Sequence, residues 1–252
     1  MKQKQARRIW LIGATSGIGL KLAEKLAKQG NRVIISGRNE DALNNLYQSN
    51  PKYFFPLALD ATNFEAVQMA AQKIEAEFGG LDTLFYNAGN CIYIDTKVFQ
   101  HEAFEKVFQI NYMGFVYTIE ASLPLLRKGN RPYLVGMSSS AAFVGLPRAE
   151  AYGSSKAAVQ YLLDSLRVDL AGEGIDVSAV YPGFVKTPLT DLNDFPMPFL
   201  ISPDKAVDYI LKGMARRDHH IHFPKRFTIL LKILGNLPSK LKTKIVRKMI
   251  KT

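Results

Sequence analysis

The sequence predicts an α/β fold in which a mainly parallel sheet is covered by helices on both faces. Short apolar runs typical of buried strands alternate along the chain with longer segments of helical periodicity. The first two runs, at 9–12 and 33–36, enclose a glycine-rich turn and a helix, the unit that connects parallel strands. Because no Ser/Gly-rich linker divides the 252 residues, we expect one domain over 1–224 and a helical extension over 225–252.

Each element follows from the local pattern of apolar residues. The run from Ile9 to Ile12 predicts a buried strand, and apolar residues then recur at helical spacing from Leu20 to Ala27. Ser202 followed by Pro203 predicts a later helix start, because a capping hydroxyl before an N1 proline is favoured there. The other predicted elements are strands at 33–36, 53–59, 83–86, 133–137 and 176–181 and helices near 39–49, 63–78, 102–127 and 151–171.

The composition, with 47% hydrophobic residues, is that of an ordinary folded globular protein. The single cysteine, Cys91, excludes an internal disulfide and a cysteine-based metal cluster, and it fits a reducing compartment. The run from Ile9 to Ile12 is too short for the core of a signal peptide, and no run reaches 18 apolar residues. We therefore expect a cytoplasmic protein without a transmembrane helix.

The net charge of +11 is concentrated at the two ends of the chain. Residues 1–8 carry four Lys or Arg, and residues 225–252 carry nine with no acidic residue. The remaining 20 basic residues face 22 acidic ones, so the body of the chain is nearly neutral. This distribution argues against nucleic acid as a partner and directs attention to the C-terminal segment.

The C-terminal segment has the pattern of basic amphipathic helices. One apolar stripe is predicted before Pro238 and a second after it, formed by Phe227, Leu230, Leu231 and Leu234 and by Leu241, Ile245 and Met249. Such a segment can pack on its own domain with a solvated basic face. It can equally contact the inner face of a membrane, an acidic partner or another subunit, and the sequence leaves these alternatives open.

Three histidines, His219, His220 and His222, have the residue type of a metal site. In a strand, however, His220 and His222 share one face and His219 lies on the other. Only Asp218 accompanies them closely, so we predict a structural or surface role and no metal.

The first predicted strand is followed at once by GATSGIG at 13–19. Gly13 and Gly17 would let the backbone approach a pyrophosphate, and Gly19 would let the helix pack closely on the strand. The helix N-terminus would then present free N–H groups and a positive dipole to the phosphates. A glycine-rich turn alone can be a simple tight turn, but its place between a strand and a helix favours dinucleotide binding.

The end of the second strand indicates which dinucleotide is used. In the general fold an acidic residue at this place binds the adenosine ribose. Here Arg38 follows Gly37, and no carboxylate precedes Glu40. A guanidinium can bind a 2′-phosphate through paired hydrogen bonds, whereas a carboxylate would repel it. The sequence therefore favours NADP(H) over NAD(H), with a solvated loop arginine as the alternative interpretation.

Tyr152 and Lys156 are four residues apart in a predicted helix, so their side chains share one face. An ammonium about 4 Å from a phenol favours the phenolate by about 4 kcal/mol at an effective dielectric of about 20. That is roughly the free energy needed to bring the pKa of a tyrosine from about 10 to about 7. The pair suits acid–base chemistry, with Ser139 nearby at the end of a strand, although an exposed helix with an incidental pair is the alternative.

The order of six motifs along the chain resembles the compact branch of the short-chain dehydrogenase/reductase family. The motifs are GATSGIG, Tyr86-Asn87-Ala88-Gly89, Asn111, Ser139, Tyr152-x-x-x-Lys156 and Pro182-Gly183. The resemblance covers roughly residues 8–224. It implies a Rossmann-type, doubly wound, seven-stranded and mainly parallel sheet with helices on both faces. Ile12 stands where a Thr is usual and Tyr86 where an Asn is usual, which puts local packing rather than chemistry in doubt.

The resemblance implies roles at the matching positions. Asn111, Ser139, Tyr152 and Lys156 would be catalytic, with Asn111 helping to hold a water near the lysine. Asp60 would bond the adenine ring, and Ser16 lacks the basic side chain that some NADP-using members carry. The residues implied to contact the cofactor are Gly13, Thr15, Ser16, Gly17, Ile18, Gly19, Arg38, Asp60, Ala61, Asn87, Ala88, Gly89, Tyr152, Lys156, Pro182, Gly183, Val185 and Thr187.

These roles imply an NADP(H)-dependent oxidoreductase that interconverts a ketone or aldehyde and an alcohol. Tyr152 would be the general acid/base, Ser139 would hold the carbonyl oxygen, and Lys156 would lower the pKa of Tyr152 and bond the nicotinamide ribose. The family also implies a homodimer or homotetramer. The alternative is a catalytically silent dinucleotide sensor or scaffold, against which the complete catalytic set argues.

The segment after Thr187 would be the mobile cover of the substrate site. Its apolar residues suggest a hydrophobic substrate, or they pack against the fold or a partner subunit; they are Phe195, Met197, Phe199 and Leu200.

Overall fold

The computed structural model describes residues 6–249 and confirms the predicted α/β fold. Seven strands form one sheet in the order β3-β2-β1-β4-β5-β6-β7, and each neighbouring pair is parallel. The strands are β1 (Arg8–Ile12), β2 (Arg32–Gly37), β3 (Phe54–Ala58), β4 (Thr83–Tyr86), β5 (Tyr133–Met137), β6 (Asp176–Pro182) and β7 (His220–Phe223). Between β1 and β4 the strand order reverses, which opens a crevice at the carboxyl ends of the strands.

Helices lie on both faces of the sheet. They are α1 (Gly17–Lys28), α2 (Glu40–Ser49), α3 (Phe64–Phe78), α4 (His101–Phe108), α5 (Gly114–Arg127), α6 (Glu150–Asp169), α7 (Pro203–Arg216), α8 (Lys225–Gly235) and α9 (Ser239–Arg247). The predicted start of α7 is confirmed, because the Ser202 hydroxyl accepts a hydrogen bond from the backbone N–H of Lys205.

Two apolar cores sandwich the sheet. Along β1, Trp10 and Ile12 belong to the core with α3, α5 and α6, whereas Ile9 and Leu11 belong to the core with α1, α2 and α7. Successive side chains of a strand point to opposite faces, so a strand covered on both sides needs apolar residues throughout. This explains why β1 appears in the sequence as a continuous apolar run.

The long helix predicted over 102–127 is interrupted. Gln109–Met113 forms a π-helical turn between α4 and α5. The Tyr86 hydroxyl donates a 2.6 Å hydrogen bond to the carbonyl oxygen of Ile110 inside this turn. Gly114 makes room for it, since a Cβ there would lie 2.6 Å from the Tyr86 oxygen. The unusual Tyr86 therefore has a structural partner in the π-helical turn.

The apolar stripe predicted on the first C-terminal helix is wrong at one position. Phe227, Leu231 and Leu234 are buried as expected, but Leu230 is 57% exposed and Thr228 is buried instead. The Thr228 hydroxyl is satisfied by His222 Nδ1 at 2.7 Å, so a polar side chain is accommodated there. Hydrophobicity alone cannot reveal such a hydrogen-bonded substitute.

Along β7 the half-buried His220 and His222 alternate with the buried Ile221 and Phe223, as predicted, whereas His219 lies just before the strand. His220 Nε2 lies 3.2 Å from an Asp164 carboxylate oxygen. Among residues 6–249, no three His, Cys, Asp or Glu side chains gather closely enough to hold a metal ion. Likewise, none of the helices described for the chain is long and apolar enough to cross a membrane.

Candidate active site

A cleft of about 770 Å³ opens at the carboxyl ends of the strands near the switch between β1 and β4. Its walls contain half of the residues expected to bind the cofactor: Gly13, Thr15, Ser16, Arg38, Asp60, Ala61, Asn87, Ala88 and Gly89. The others lie under the glycine turn, at the end of β6 or on α6. The structure thus brings these nine predicted residues together in one cleft.

The glycine turn has a conformation that requires glycine. Gly13 has a φ of 81°, and a Cβ there would lie 2.7 Å from the backbone nitrogen of Ala88. Gly19 supports the turn from behind, because a Cβ would lie 1.9 Å from the Gly13 carbonyl oxygen. The Asn87 amide donates a 2.8 Å hydrogen bond to that same oxygen. Gly19 and Asn87 therefore shape the turn.

The N-terminus of α1 fits an anion. Ser16 is its N-cap, yet within the described chain the Ser16 hydroxyl caps no backbone N–H, and the first turn contains no acidic residue. The first N–H groups of a helix need acceptors and carry a positive partial charge. A dinucleotide pyrophosphate placed beside Thr15 and Ser16 would supply them.

The far end of the cleft carries the groups predicted to recognise the adenosine. Arg38 is exposed on the cleft wall and forms no ion pair with any residue from 6 to 249. Asp60 accepts hydrogen bonds from the backbone N–H and the hydroxyl of Thr62, at 2.9 and 2.8 Å. These bonds hold the Asp60 carboxylate on the wall.

The predicted acid–base residues converge at the end of β5. Lys156 is only 3% exposed, and its Nζ donates a 2.9 Å hydrogen bond to the carbonyl oxygen of Met137. The same Nζ lies 5.8 Å from the centre of the Tyr152 ring. Ser139 directly follows this strand region and interacts with the Tyr152 phenol, which lowers the pKa of the tyrosine. Ser139, Tyr152 and Lys156 therefore share one site.

The expectation that Lys156 brings the pKa of Tyr152 close to neutral is wrong for this structure. Burial raises the pKa of Tyr152 to about 12, and the interaction with Ser139 only partly offsets it. Burial also lowers the pKa of Lys156 to about 8. The ammonium is held by Met137 rather than by the phenol. Tyr152 is consequently a neutral phenol at pH 7, the form that donates a proton.

Asn111 lies in the π-helical turn and is 1% exposed. Its amide bonds both backbone groups of Asn90, at 2.8 and 3.0 Å, and the Ser155 hydroxyl at 2.9 Å. Gly89 allows this approach, because a Cβ there would lie 2.9 Å from Asn111 Oδ1 and 3.2 Å from Lys156 Nζ. Asn111 thus ties the loop after β4 to the helix that carries Tyr152 and Lys156.

We expect Tyr86→Phe to loosen this arrangement without disturbing the core. Loss of the hydroxyl leaves the Ile110 carbonyl without its Tyr86 partner, which should cost about 1–2 kcal/mol of unfolding free energy. Turnover should fall several-fold because the π-helical turn positions Asn111. Urea denaturation and steady-state kinetics measure the two effects.

The matched control is Tyr133→Phe, which removes a buried hydroxyl at the start of β5 that bonds the Ser178 hydroxyl on β6. This position is at the end of the strand opposite to Ser139. A similar loss of stability with normal turnover is expected for this control. Equal loss of turnover in both variants would contradict the positioning role of Tyr86.

The segment predicted to hold the nicotinamide lies beside the main cleft. Thr187 contacts the glycine turn, since its Cγ2 would be 3.0 Å from a Cβ at Gly17. Pro182 and Val185 are buried. Gly183 faces the C-terminal helix, because a Cβ there would lie 2.7 Å from the Phe227 ring. At Gly183, packing against α8 therefore explains the glycine.

The predicted cover segment is held in place by residues that were not predicted from the sequence. Arg148 forms two hydrogen bonds to the Asp194 carboxylate, at 2.8 and 2.9 Å, and its guanidinium lies over the Tyr93 ring. The Tyr93 hydroxyl bonds Asn193. Phe195 packs edge-on against Tyr93 at 5.5 Å between ring centres. The predicted cover segment thus packs against the loop after β4.

Other wall residues were also missed, namely Thr62, Asn90, Glu105, Lys106, Gln109 and Ile110. Thr62 and Asn90 lie in loops, Glu105 and Lys106 on α4, and Gln109 and Ile110 in the π-helical turn, and no common spacing links these positions. Asn90, directly after the recognised Asn87-Ala88-Gly89, is the one that proximity to a motif could have suggested. Its Oδ1 is buried without a hydrogen-bond partner among the described residues.

Comparison with known proteins places this architecture. A family model described as short chain dehydrogenase matches residues 7–194. The chain is 37% identical over 244 residues to an uncharacterized oxidoreductase of Myxococcus xanthus, and the match covers 96% of each protein. It is 27% identical over 209 residues to an uncharacterized oxidoreductase of Staphylococcus epidermidis, covering 83% of this chain and 91% of the relative.

Solved structures agree. A short-chain dehydrogenase from Streptomyces avermitilis has a TM-score of 0.81 at 23% identity, covering 96% of this chain and 97% of its own. The Pseudomonas aeruginosa RhlG/NADP active-site complex has a TM-score of 0.81 at 25% identity, covering 89% and 98%. Fold and site together define a Rossmann-like α/β oxidoreductase. The chain belongs to the short-chain dehydrogenase family, whose members bind NAD or NADP.

Proposed function

We propose that this protein is an NADP(H)-dependent oxidoreductase that interconverts a ketone or aldehyde and the corresponding alcohol. The observation that carries the proposal is the convergence of Ser139, Tyr152 and Lys156 beside a cleft whose walls suit a dinucleotide. The bound cofactor would donate or accept the hydride at carbon. The protein would supply or remove the proton at the substrate oxygen.

Tyr152 is placed for that proton transfer. A phenol with a pKa of about 12 is protonated at pH 7, so it can donate to a carbonyl oxygen during reduction. Ser139 would hold the same oxygen through its hydroxyl and stabilise the charge that develops there. In the reverse direction the phenolate would take the proton from the alcohol.

Lys156 has two partial roles in this scheme. Its ammonium would bind the ribose next to the nicotinamide and would stabilise the phenolate after proton transfer. Asn111 would keep the helix of Tyr152 and Lys156 in register through Ser155 and Asn90. In this scheme Lys156 assists the proton transfer by Tyr152, and Asn111 positions the helix that carries both residues.

The cover segment supports a hydrophobic substrate. Phe195 packs between Tyr93 and Phe184, with ring centres at 5.5 and 6.0 Å, and it lies in the segment that covers the site. An aromatic cover excludes water from the reacting oxygen and favours apolar substrate bodies.

The test is oxidation of NADPH, followed by absorbance, with a panel of ketones and aldehydes that includes steroids and acyl thioesters. Activity with at least one apolar carbonyl compound supports the proposal. NADPH binding without turnover on any of them would instead favour a dinucleotide sensor.

We expect Arg38→Ala to raise the KM for NADPH about 10- to 100-fold, since a charge-assisted hydrogen bond contributes about 1.5–3 kcal/mol. The KM for NADH should change less than about twofold, because NADH lacks the 2′-phosphate. Steady-state kinetics with both cofactors measure the ratio. Lys73→Ala, an exposed charge on α3, is the matched control. A parallel rise for both cofactors would show that Arg38 does not discriminate between them.

We also infer a homodimer or homotetramer formed through the long helices. The outer face of α6 leaves Tyr161 77% and Val168 76% exposed, which is unusual for large apolar side chains. A cytoplasmic location is supported by the one free cysteine, Cys91.

A further inference from the structure

The C-terminal helices present a surface that the proposed reaction does not use. One face of α8 is seated on the domain: Phe227, Leu231 and Leu234 are buried with Val144. Gly235 closes the contact, since a Cβ there would lie 2.1 Å from the Phe143 carbonyl oxygen. Because this face of α8 is held against the domain, the opposite face of the helix points to solvent.

That outward face is apolar. Ile229, Leu230 and Ile233 are 47%, 57% and 58% exposed, and their spacing places them on one side of α8. Leu241 and Ile245 on α9, and Met249 two residues beyond its end, are 46%, 36% and 50% exposed at spacings of four. We call these two faces together the α8–α9 surface. Six large apolar side chains at this exposure are more than isolated surface residues would give.

Basic side chains surround the apolar ones. Residues 225–249 contain six Lys and two Arg and no acidic residue. Four of them line a shallow groove of about 470 Å³ on α9: Lys240, Lys244, Arg247 and Lys248, together with Thr243. A concave site of cations and one hydroxyl has the chemistry that binds a phosphate group.

We propose that the α8–α9 surface docks the protein on an anionic lipid bilayer. The aliphatic side chains would enter the boundary between headgroups and acyl chains, and the groove on α9 would bind lipid phosphates. Clusters of Lys and Arg on an amphipathic helix are the pattern that anionic lipids recognise. This proposal goes beyond the reaction and does not depend on it.

A second copy of the chain fits this surface poorly. A two-fold interface brings the same patch of both copies together. Here it would place the basic residues of the α8–α9 surface opposite the same residues of the second copy, with no carboxylate from 225–249 to neutralise them. Anionic headgroups neutralise the charges instead.

An acidic protein partner is also a poorer match. Lys is depleted at protein–protein interfaces, where aromatic residues and Arg are enriched. The α8–α9 surface has the opposite composition, with six Lys and no exposed aromatic side chain among residues 225–249. A fluid bilayer needs no matched shape and accepts flexible lysines.

The predicted cover segment contacts the face of α8 that is seated on the domain. Phe199, 51% exposed on the cover segment, has its ring centre 6.1 Å from that of Phe227 on α8. Its neighbour Leu200 is 42% exposed. The cover segment therefore packs against the same helix that carries Ile229, Leu230 and Ile233 on its outward face.

Vesicle co-sedimentation of the full chain tests the proposal. We expect the wild type to pellet with phosphatidylcholine vesicles that contain about 30% phosphatidylglycerol and not with phosphatidylcholine alone. The affinity for anionic vesicles should fall at least tenfold for Ile229→Ser/Leu230→Ser/Ile233→Ser and for Lys240→Glu/Lys244→Glu/Lys248→Glu.

Two control variants carry equivalent changes on exposed positions of the body. Met69→Ser/Val98→Ser removes exposed apolar side chains, and Lys28→Glu/Lys73→Glu/Lys97→Glu makes the same change of charge. Both should keep at least half of the wild-type vesicle affinity. Circular dichroism melting of every variant confirms that the fold is retained.

Three results would overturn the proposal. One is the absence of wild-type pelleting with anionic vesicles. Another is a dimer, detected by sedimentation velocity, that dissociates in both surface variants, which would assign the surface to a second copy. The third is wild-type binding to soluble polyglutamate but to neither vesicle composition, which would assign it to an acidic polypeptide.

Discussion

Replacing Tyr152 with Phe is expected to lower kcat for carbonyl reduction by about 10²–10⁴-fold, the usual contribution of a positioned general acid. The substitution removes only the phenol oxygen, so the ring keeps its place on α6. The affinity for NADPH should change less than about threefold, because the glycine turn and the Arg38 end of the cleft are untouched. Steady-state kinetics and fluorescence titration with NADPH measure the two quantities separately.

Tyr209→Phe is the matched control, since this tyrosine stacks on Phe223 at 5.4 Å on the other side of the sheet. It should retain wild-type kinetics. Wild-type-like turnover in Tyr152→Phe would eliminate the proposed proton donor. That result would not bear on the proposed dinucleotide site, which rests on other residues.

Replacing Lys156 with Met is expected to abolish turnover and, at the same time, to stabilise the protein. Burial lowers the pKa of Lys156 from 10.5 to about 8, so the folded state at pH 7 holds a charge that burial disfavours. A shift of this size corresponds to roughly 3 kcal/mol of unfolding free energy. Methionine fills a similar volume without the charge. Functional sites commonly reduce stability in this way.

The stability of the ligand-free wild type should also depend on pH. Between about pH 8 and pH 10.5 the unfolded chain holds the Lys156 proton and the folded chain has lost it. Because the unfolded state then binds more protons, the Lys156 contribution to stability rises with pH across this window. Lys156→Met should remove this rise.

Urea denaturation at several pH values measures both effects, with Lys73→Met as the exposed control. A lower stability of Lys156→Met than of the wild type at pH 7 would show that the hydrogen bond to Met137 outweighs the burial of the charge.

The fold was predictable because its signals are local. Alternating apolar strands and helices, one glycine turn and a capped α7 suffice to define a parallel sheet, and the cleft lies where the strand order reverses. The convergence of Ser139, Tyr152 and Lys156 was also predictable, because spacing along α6 and the end of β5 determine it. Both features depend on short stretches of chain.

The details that escaped prediction depend on distant partners. The π-helical turn needs Tyr86, which lies 24 residues before Ile110. The contacts of the cover segment join Tyr93 and Arg148 to residues 193–195. The pKa of Tyr152 is governed by burial, which pairwise spacing with Lys156 does not reveal. Tertiary contacts of this kind leave no periodic trace in the sequence.

The contact between Gly183 and Phe227 joins the segment predicted to hold the nicotinamide to α8 by direct packing. Because a Cβ at position 183 would overlap the Phe227 ring, the strand end and α8 are shaped to each other. The glycine at position 183 and the Phe227 ring on α8 are therefore complementary within this chain. In a chimera that combines α8 and α9 with a residue other than glycine at position 183, the strand end and α8 would be pushed apart. The segment after β6 would then lose its contact with α8.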